Sequence, residues 1–208
     1  MNQYLVTLRA KQLDGWCADF LTRQPDAVVL HLGCGLDGRV FRLVPPPSVL
    51  WFDLDQPKVI ELRRRLYQDT EQYRMIGSSV TDPGWLDQIP MGRPTLVVAE
   101  GLLMYVTEGE VRALLDRMVD RFDSGELLFD TLARLAPAVS KIMSKGIIKW
   151  GIGDARDIAT WNPKLRFLEQ TSVVADYDKI NSTPVRWIYK LQSISPFGSY
   201  DMVNRFEY

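Results

Sequence analysis

The most informative stretch of this chain is Ala27-Val28-Val29-Leu30-His31-Leu32-Gly33-Cys34-Gly35-Leu36-Asp37-Gly38-Arg39. An apolar run of strand length ends in closely spaced glycines, which let a backbone turn tightly and approach a ligand without a Cβ in the way. A second apolar stretch, residues 48–52, ends in Asp53 and Asp55. An acid at the tip of the next strand accepts hydrogen bonds from ribose hydroxyls. Together the two stretches predict a nucleoside-cofactor site at the carboxyl edge of a parallel sheet.

The glycine loop leaves two classes of cofactor open. Gly33 to Gly38 fits G-x-G-x-x-G, and Asp53 and Asp55 follow about 20 residues later, which is the spacing of a dinucleotide fold. Two observations argue against NAD. A helical pattern precedes the loop, and Asp37 places an acid where a pyrophosphate would have to bind backbone N–H groups. An acid suits a ligand that carries cations, such as S-adenosylmethionine, which has a sulfonium and an ammonium group and no phosphate.

Composition limits the class of protein. The 208 residues, 46% of them hydrophobic, are enough for one well-buried core and too few for two ordinary domains. A balance of 25 basic and 26 acidic side chains argues against nucleic acid as a main partner. No apolar stretch reaches the ~18 residues of a membrane span, and the N-terminus lacks the layout of a signal peptide. Two cysteines and one histidine predict no metal site and favour a cytoplasmic location.

Helix and strand patterns alternate along the chain. Apolar side chains at helical spacing predict an amphipathic helix over the first twenty-odd residues and a second one that begins at a capping box formed by Thr107 and Glu110. Predicted strands cover residues 27–33, 48–54, 73–76, 95–99 and 127–131, and a short helix covers residues 39–43. Residues 186–191 and 202–206 have the pattern of an antiparallel pair. The alternation predicts an α/β fold with a mostly parallel sheet.

Several stretches carry a resemblance to a known family: VVLHLGCGLDGRVFRL (28–43), WFDLDQPKVIELRR (51–64), SSVTDPGWLD (78–87), AEGLLMYVTEGEV (99–111), LLFDTLA (127–133) and IKWGIGDARDIATWNP (148–163). In this order they resemble the leucine carboxyl methyltransferase family, and most of all its polyketide O-methyltransferase branch. The resemblance implies a Rossmann-like seven-stranded sheet with one antiparallel strand near the C-terminus and helices on both faces. It also implies S-adenosylmethionine as the cofactor and O-methylation of a hydroxyl or carboxyl group of a small molecule.

The resemblance also implies roles for residues around the glycine loop. Gly33 and Gly35 line the methionine and ribose part of the cofactor. Asp55 matches the ribose-binding acid of the family, ahead of Asp53, which lies two positions earlier. Arg9 matches an arginine that binds the carboxylate of the cofactor, a role that suits its planar fork of donors.

Further roles follow from the later motifs. Ser79 falls at the adenine-contacting position, where other members have an acid, and Val80 would offer its backbone N–H to the ring. Glu100 matches a glutamate beside the methionine group, where a carboxylate holds the ammonium and faces the sulfonium. Asp37 either helps to hold the ammonium or caps the helix that follows. Tyr105 is the substrate-side candidate, either as an aromatic wall between the sulfonium and the acceptor or as part of the core.

The catalytic base and the cover of the acceptor site stay open on the sequence. His31, the only histidine, fits a satisfied strand histidine better than a general base, so we name no catalytic base. Relatives carry an N-terminal segment that covers the acceptor site, and Arg9 lies near residue 1. We therefore expect residues 1–208 to form a single domain without that cover, whose acceptor side is open or closed by a second copy in a homodimer. A lid formed by residues 141–162 would contradict this.

Two alternatives to an active O-methyltransferase remain. One is a catalytically weak or inactive protein that binds S-adenosylmethionine and acts through a partner. The other, which rests on the literal glycine match, is an NAD-dependent oxidoreductase.

Overall fold

A seven-stranded sheet forms the centre of the computed structural model, which describes residues 2–193 and 200–208. Its strands are Val28–Leu32 (β1), Leu50–Asp55 (β2), Tyr73–Gly77 (β3), Thr95–Ala99 (β4), Gly125–Leu132 (β5), Arg166–Ser172 (β6) and Asp201–Glu207 (β7). The strand order is β3-β2-β1-β4-β5-β7-β6. β7 runs antiparallel to both of its neighbours, and the other pairs are parallel. The predicted fold, with one reversed strand near the C-terminus, is confirmed.

Helices cover both faces of this sheet. Within the described residues the α-helices are Asn2–Arg23 (α1), Arg39–Leu43 (α2), Pro57–Arg63 (α3), Glu108–Arg121 (α4), Ala136–Met143 (α5) and Thr183–Ser193 (α6). Short 3-10 helices lie at Pro83–Gln88, Leu103–Tyr105, Ala155–Thr160 and Tyr177–Lys179. Across the described part of the chain, no helix combines the length and the apolar character that crossing a membrane would require.

The alternation of side chains along β1 divides the core into two clusters. Val29 packs with α1 on one face, whereas Leu30 and Leu32 pack with α4 on the other. This is the expected result for a strand, because successive side chains point to opposite faces. His31 lies on the α1 face, and this places its ring between the sheet and the first helix.

The start of α4 shows why local sequence determines a helix boundary. The hydroxyl of Thr107 accepts a hydrogen bond from the Glu110 N–H at 3.4 Å, and the Glu110 carboxylate accepts one from the Thr107 N–H at 2.7 Å. The predicted capping box is therefore confirmed. Downstream, the buried Val111, Leu114 and Met118 recur at helical spacing and anchor α4 to the sheet.

One predicted strand is wrong. Residues 186–191 lie in α6 and not in the antiparallel pair, and β6 is the strand that pairs with β7. The stretch is rich in the aromatic and β-branched residues that favour strands. Pro184 in the first turn suits a helix start, and Val185 and Tyr189, one turn apart, pack into the α1-side core.

Candidate functional site

A cavity of about 630 Å³ lies at the carboxyl edge of the sheet, between α1 and the glycine loop. Its lining consists of Val6, Thr7, Arg9, Ala10, Lys11, Asp14, His31, Gly33, Cys34, Leu36, Asp37, Arg42 and Glu100. Three of these side chains are basic and three are carboxylates. A lining of both signs suits a ligand that itself carries a carboxylate and cationic groups.

Two glycines at the start of the loop adopt the left-handed backbone region. Gly33 has φ +63° and Gly35 has φ +52°, a conformation that side chains with a Cβ rarely adopt. A Cβ on Gly33 would also lie 2.9 Å from Leu102 Cδ1, whereas one on Gly35 would meet open space. Position 33 therefore needs glycine for two reasons and position 35 for one. Cys34 between them is no nucleophile, because burial raises the pKa of its thiol.

Asp55 ends β2 with its carboxylate fixed beside the loop. One oxygen accepts a hydrogen bond from the Gly35 N–H at 2.7 Å, and the other accepts one from the Gln56 N–H at 2.7 Å. Each carboxylate oxygen has a second acceptor position. The side chain is partly exposed at this edge, so the geometry suits a ligand with two neighbouring hydroxyls.

Asp53 has a structural role and is not placed as a ligand. Its side chain is fully buried and is bonded to Tyr73 Oη at 2.6 Å, Trp51 Nε1 at 2.8 Å, His31 Nδ1 at 3.2 Å and the Arg63 guanidinium. Burial raises the pKa of the carboxyl group, but the bonds and charges of these neighbours hold it below its ordinary value. The structure thus corrects the assignment of Asp53 to the cofactor site. Two residues can share a side of a strand and still differ completely in access to ligand.

His31 lies at the junction of two ion-paired groups. Its Nδ1 contacts Asp53, and its Nε2 lies 3.1 Å from Arg39 Nη1. A guanidinium only donates, so Nε2 accepts and Nδ1 carries the proton. The ring is buried with both nitrogens bonded, as expected for a satisfied strand histidine.

Glu100 follows β4 and is held by two arginines. Its Oε1 accepts a hydrogen bond from Arg9 Nε at 3.0 Å, and its Oε2 accepts one from Arg39 Nη2. Its side chain is mostly buried but contributes to the cavity lining. The carboxylate is therefore fixed at the point where α1, α2 and β4 meet.

Arg9 reaches from α1 across the ends of β4 and β5. Its Nη1 donates to Asp130 Oδ2 at 2.7 Å and lies 3.7 Å from Asp201 Oδ2. The guanidinium passes so close to Gly101 that a Cβ there would lie 3.2 Å from Nη2. Burial disfavours the charged form, but Asp130, Asp201 and Glu100 raise the pKa of Arg9 above its ordinary value. Nη2 has no protein partner among the residues that the structure describes.

Asp201, the first residue of β7, is the least satisfied acid in this group. Its Oδ1 is buried without a hydrogen-bond partner in the described part of the chain. Burial and the neighbouring carboxylate of Asp130 raise its pKa to about 7, although Arg9 opposes the rise. Asp201 therefore changes charge near neutral pH beside the guanidinium of Arg9.

Asp37 lines the cavity and pairs with a neighbouring arginine. It accepts hydrogen bonds from Arg42 at 2.9 and 3.4 Å and lies 3.7 Å from Arg39 Nη2. The N-cap of α2 is Gly38, with no side-chain capping bond, so the alternative of Asp37 as a helix cap is wrong. Burial raises the pKa of Asp37, but Arg42 and Arg39 together lower it below its ordinary value.

The segment after β3 brings Ser79 and Val80 to the same edge as Asp55, because Gly77 pairs with Asp55 in the sheet. The Ser79 hydroxyl lies 2.8 Å from Thr81 Oγ1. The backbone N–H of Val80 has no protein acceptor among the described residues. These two groups remain candidates for contact with a planar base, as the sequence predicts.

Tyr105 and residues 141–162, which the sequence relates to the acceptor side, lie outside the lining of the cavity. Tyr105 ends the 3-10 helix Leu103–Tyr105 and is 45% exposed, so it is not a core residue. No residue in the range 141–162 lines the cavity. Trp150 from this range is buried in the cluster that packs between the sheet and α4, and its backbone N–H donates to the Met104 carbonyl. In the described chain this range therefore packs beside the site and does not close the cavity.

The charged site residues that were not predicted from the sequence include Asp14, Arg39, Arg42, Asp130 and Asp201. Asp130 had a detectable signal, since it is a charged residue within the apolar stretch of β5 and is fully buried there. Arg39 directly follows the glycine loop, but sequence alone does not show that its side chain turns inward. Asp14 and Asp201 meet the site only through tertiary packing.

Comparison with known proteins shows what the chain is similar to. The family model of leucine carboxyl methyltransferase matches residues 1–79. The tetracenomycin polyketide synthesis O-methyltransferase of Streptomyces glaucescens is 44% identical over 190 residues, which cover 88% of this chain and 70% of that enzyme. An S-adenosyl-L-methionine-dependent methyltransferase of Gibberella zeae is 34% identical over 197 residues, covering 86% of this chain and 66% of that protein.

Solved structures share the fold at low sequence identity. A protein of Thermobifida fusca assigned as a methyltransferase aligns with a TM-score of 0.71 at 16% identity, over 95% of this chain and 79% of that one. The N-methyltransferase NodS of Bradyrhizobium japonicum in complex with S-adenosyl-L-homocysteine aligns with a TM-score of 0.57 at 15% identity, over 96% and 85% of the two chains.

Proposed function

The chain belongs to the leucine carboxyl methyltransferase family and is an S-adenosylmethionine-dependent methyltransferase, and we propose that it methylates an oxygen of a small organic acceptor. The family, the enzyme class and the cofactor predicted from the sequence are confirmed. The NAD-dependent alternative has no support among these relatives. The acceptor group in this proposal is a hydroxyl or a carboxyl.

The choice of oxygen rests on one observation above all. The relative that is 44% identical over most of this chain is an O-methyltransferase of polyketide synthesis. The chain covers 70% of that enzyme, so the similarity supports the chemistry of transfer more strongly than the identity of the acceptor. The family name points to the same element, since a carboxyl methyltransferase also modifies oxygen.

The residues in and beside the cavity fit the parts of the cofactor, and Asp55 and Val80 lie outside its lining. Asp55 would accept both ribose hydroxyls, and the Val80 N–H would bind the adenine ring. Glu100 would hold the ammonium group, and the Nη2 of Arg9 is the donor left for the carboxylate. In this arrangement the acidic and basic side chains that line the cavity of about 630 Å³ bind the ammonium and the carboxylate of the amino-acid group of the cofactor.

The protein's contribution to methyl transfer is mainly positional. When bound, S-adenosylmethionine supplies a methyl group on a sulfonium, and the thioether leaves without an acid. Gly33 and Glu100 fix the donor end, and α1 excludes water from one side of the cavity. The acceptor oxygen forms the new bond to carbon and loses its proton to solvent or to a nearby base. A phenol or a carboxylic acid loses that proton easily, so we assign no catalytic base.

A radiolabel screen tests the proposal. The chain is incubated with methyl-labelled S-adenosylmethionine and with phenolic polyketides, small carboxylic acids or peptide C-termini. We expect label in an ether or an ester product, and no label with Glu100→Gln. The matched control is Glu108→Gln, a change of an exposed carboxylate on α4, which should keep full transfer. Transfer only to nitrogen or carbon acceptors would refute the choice of oxygen.

We further propose that residues 1–208 act as a single domain, because both apolar clusters pack on one sheet. Closure of the acceptor side by a second copy remains a prediction. Leu135, Ile142 and Met143, at and next to α5, are 71%, 87% and 81% exposed, and self-association would remove such apolar surface from water. Light scattering across a concentration series tests for a dimer, and a mass of one chain at every concentration would contradict it.

A further inference from the structure

We propose that Arg39 is a positioning residue that fixes the carboxylate of Glu100 for the ammonium group of the cofactor. The inference rests on the proposed role of Glu100 and adds a residue that does not itself touch the ligand in that proposal. Arg39 is fully buried, and its side chain is absent from the cavity lining. It can therefore act on the cofactor only through the groups that it holds.

Each nitrogen of the Arg39 guanidinium has its own partner on a different element. Nε donates to Asp14 Oδ1 on α1 at 2.8 Å, Nη1 donates to His31 Nε2 on β1 at 3.1 Å, and Nη2 donates to Glu100 Oε2 after β4. A planar group bonded on three sides cannot rotate without breaking at least one of these bonds. The direction of the Nη2 bond is thus set by α1 and β1.

The support for this arrangement extends beyond Arg39. His31 is held through its other nitrogen by Asp53, which is in turn bonded to Arg63. All three of these side chains are buried. A continuous series of hydrogen bonds therefore runs from α3 through the sheet face to Glu100. Networks of this kind are rigid when every member is satisfied.

Arg9, the second arginine on Glu100, is less suited to this task. It also binds Asp130 and approaches Asp201, and under the proposed function it receives the carboxylate of the cofactor. The guanidinium of Arg9 is therefore shared among Glu100, two aspartates and the cofactor. Arg39 has no such second duty, and Arg39 and Arg42 share the carboxylates of Asp14 and Asp37, so these two charges are matched without Glu100. Glu100 thus keeps attraction for a cation while its position is held.

A purely structural role for Arg39 is the competing explanation, since the same bonds join α1 to the sheet. Two ligands separate the explanations. S-adenosylhomocysteine carries the amino-acid group, and 5′-methylthioadenosine shares its nucleoside but lacks that group. A positioning role affects only the first ligand. Damage to the fold of the site affects both ligands.

The test is a double-mutant cycle measured by calorimetric titration of Arg39→Lys, Glu100→Gln and the double variant. We expect Arg39→Lys to weaken binding of S-adenosylhomocysteine by about 10- to 100-fold. We expect the same change in the Glu100→Gln background to have an effect below about 3-fold. Affinity for 5′-methylthioadenosine should be the same in all four proteins. The matched control is Arg205→Lys, which changes a mostly buried arginine bonded to Glu126 and Asp19 and should leave both affinities unchanged.

Several outcomes would overturn the inference. Equal losses in both backgrounds, or parallel losses for both ligands, would mean that Arg39 is only structural. If Glu100→Gln binds S-adenosylhomocysteine as the wild type does, the proposed role of Glu100 fails and the inference falls with it. Should Arg39→Lys not fold, Asp14→Ala replaces it, because this change removes the α1 acceptor of Arg39 while the arginine stays. This substitution at Asp14 should weaken S-adenosylhomocysteine binding in the wild-type background and not in the Glu100→Gln background.

Discussion

Replacing Asp201 with asparagine is expected to stabilise the protein at pH 8 more than at pH 5. Burial and the charge of Asp130 raise the pKa of Asp201 to about 7 in the folded chain, whereas an unfolded aspartate titrates near pH ~4. Between these values the folded state binds a proton that the unfolded state has released. Stability is therefore lost as the pH rises toward 7, and the loss is complete above it. Asparagine at this position removes that dependence.

The size of the effect follows from the difference in pKa. At about 1.4 kcal/mol per pKa unit, the rise from pH 5 to pH 7 corresponds to at most about 3 kcal/mol. The side chain of Asp201 is 21% exposed, and screening by solvent reduces this figure. We therefore expect asparagine to gain about 1–3 kcal/mol in free energy of unfolding, relative to the wild type, between pH 5 and pH 8.

Urea unfolding at pH 5, 6, 7 and 8 measures this gain, because the free energy of unfolding is obtained at each pH from one transition. The exposed Asp123 supplies the matched control. Asp123→Asn should differ from the wild type by the same small amount at every pH. A constant difference between Asp201→Asn and the wild type across this range would refute the account of a buried acid beside Arg9. A larger destabilisation at pH 8 would refute it as well.

Three further predictions concern the glycine loop, the β2 acids and the cap of α4. Asp55→Ala should keep the fold and weaken S-adenosylhomocysteine binding by about 1.5–3 kcal/mol in a calorimetric titration. Asp53→Ala should instead lower the free energy of unfolding by about 3–5 kcal/mol, because it leaves buried partners unpaired. The reverse pattern would exchange the roles of the two acids. Gly33→Ala should lower the free energy of unfolding by about 1–3 kcal/mol and Gly35→Ala by less, since only the new Cβ at position 33 meets a side chain, that of Leu102. Equal losses of the free energy of unfolding, measured with urea, would contradict this steric difference. Thr107→Ala should cost about 1 kcal/mol through loss of the N-cap, and an unchanged thermal midpoint would show that the cap is not needed.

Local signals account for the parts of the fold that were predictable. The capping box at Thr107 and the helical spacing after it depend on neighbours in sequence, so α4 begins at the predicted position. The strand predicted at residues 186–191 was wrong because their aromatic and branched side chains suit a strand as well as a helix. Packing of Tyr189 against the α1-side core, a tertiary contact, decides between the two.

Some residues of the candidate site were predictable from the sequence, and others were not. The glycine loop and Asp55 lie at the ends of strands, where period and spacing place a ligand edge. The roles of Asp53 and Arg39 depend on partners far away in the sequence, such as His31, which is 22 residues from Asp53, and Glu100, which is 61 residues from Arg39. No pattern in one sequence records such pairs. Burial of a charged side chain can be predicted only when its buried partners are known.

A crystal structure of this chain with S-adenosylhomocysteine tests the proposed cofactor site most directly. We expect the nucleoside in the cavity between α1 and the glycine loop, with both ribose hydroxyls within hydrogen-bond distance of Asp55 and the ammonium on Glu100. We further expect that Arg39 keeps its bonds to Asp14 and His31. A nucleoside bound elsewhere, or an amino-acid group turned away from Glu100, would show that the proposed site is wrong.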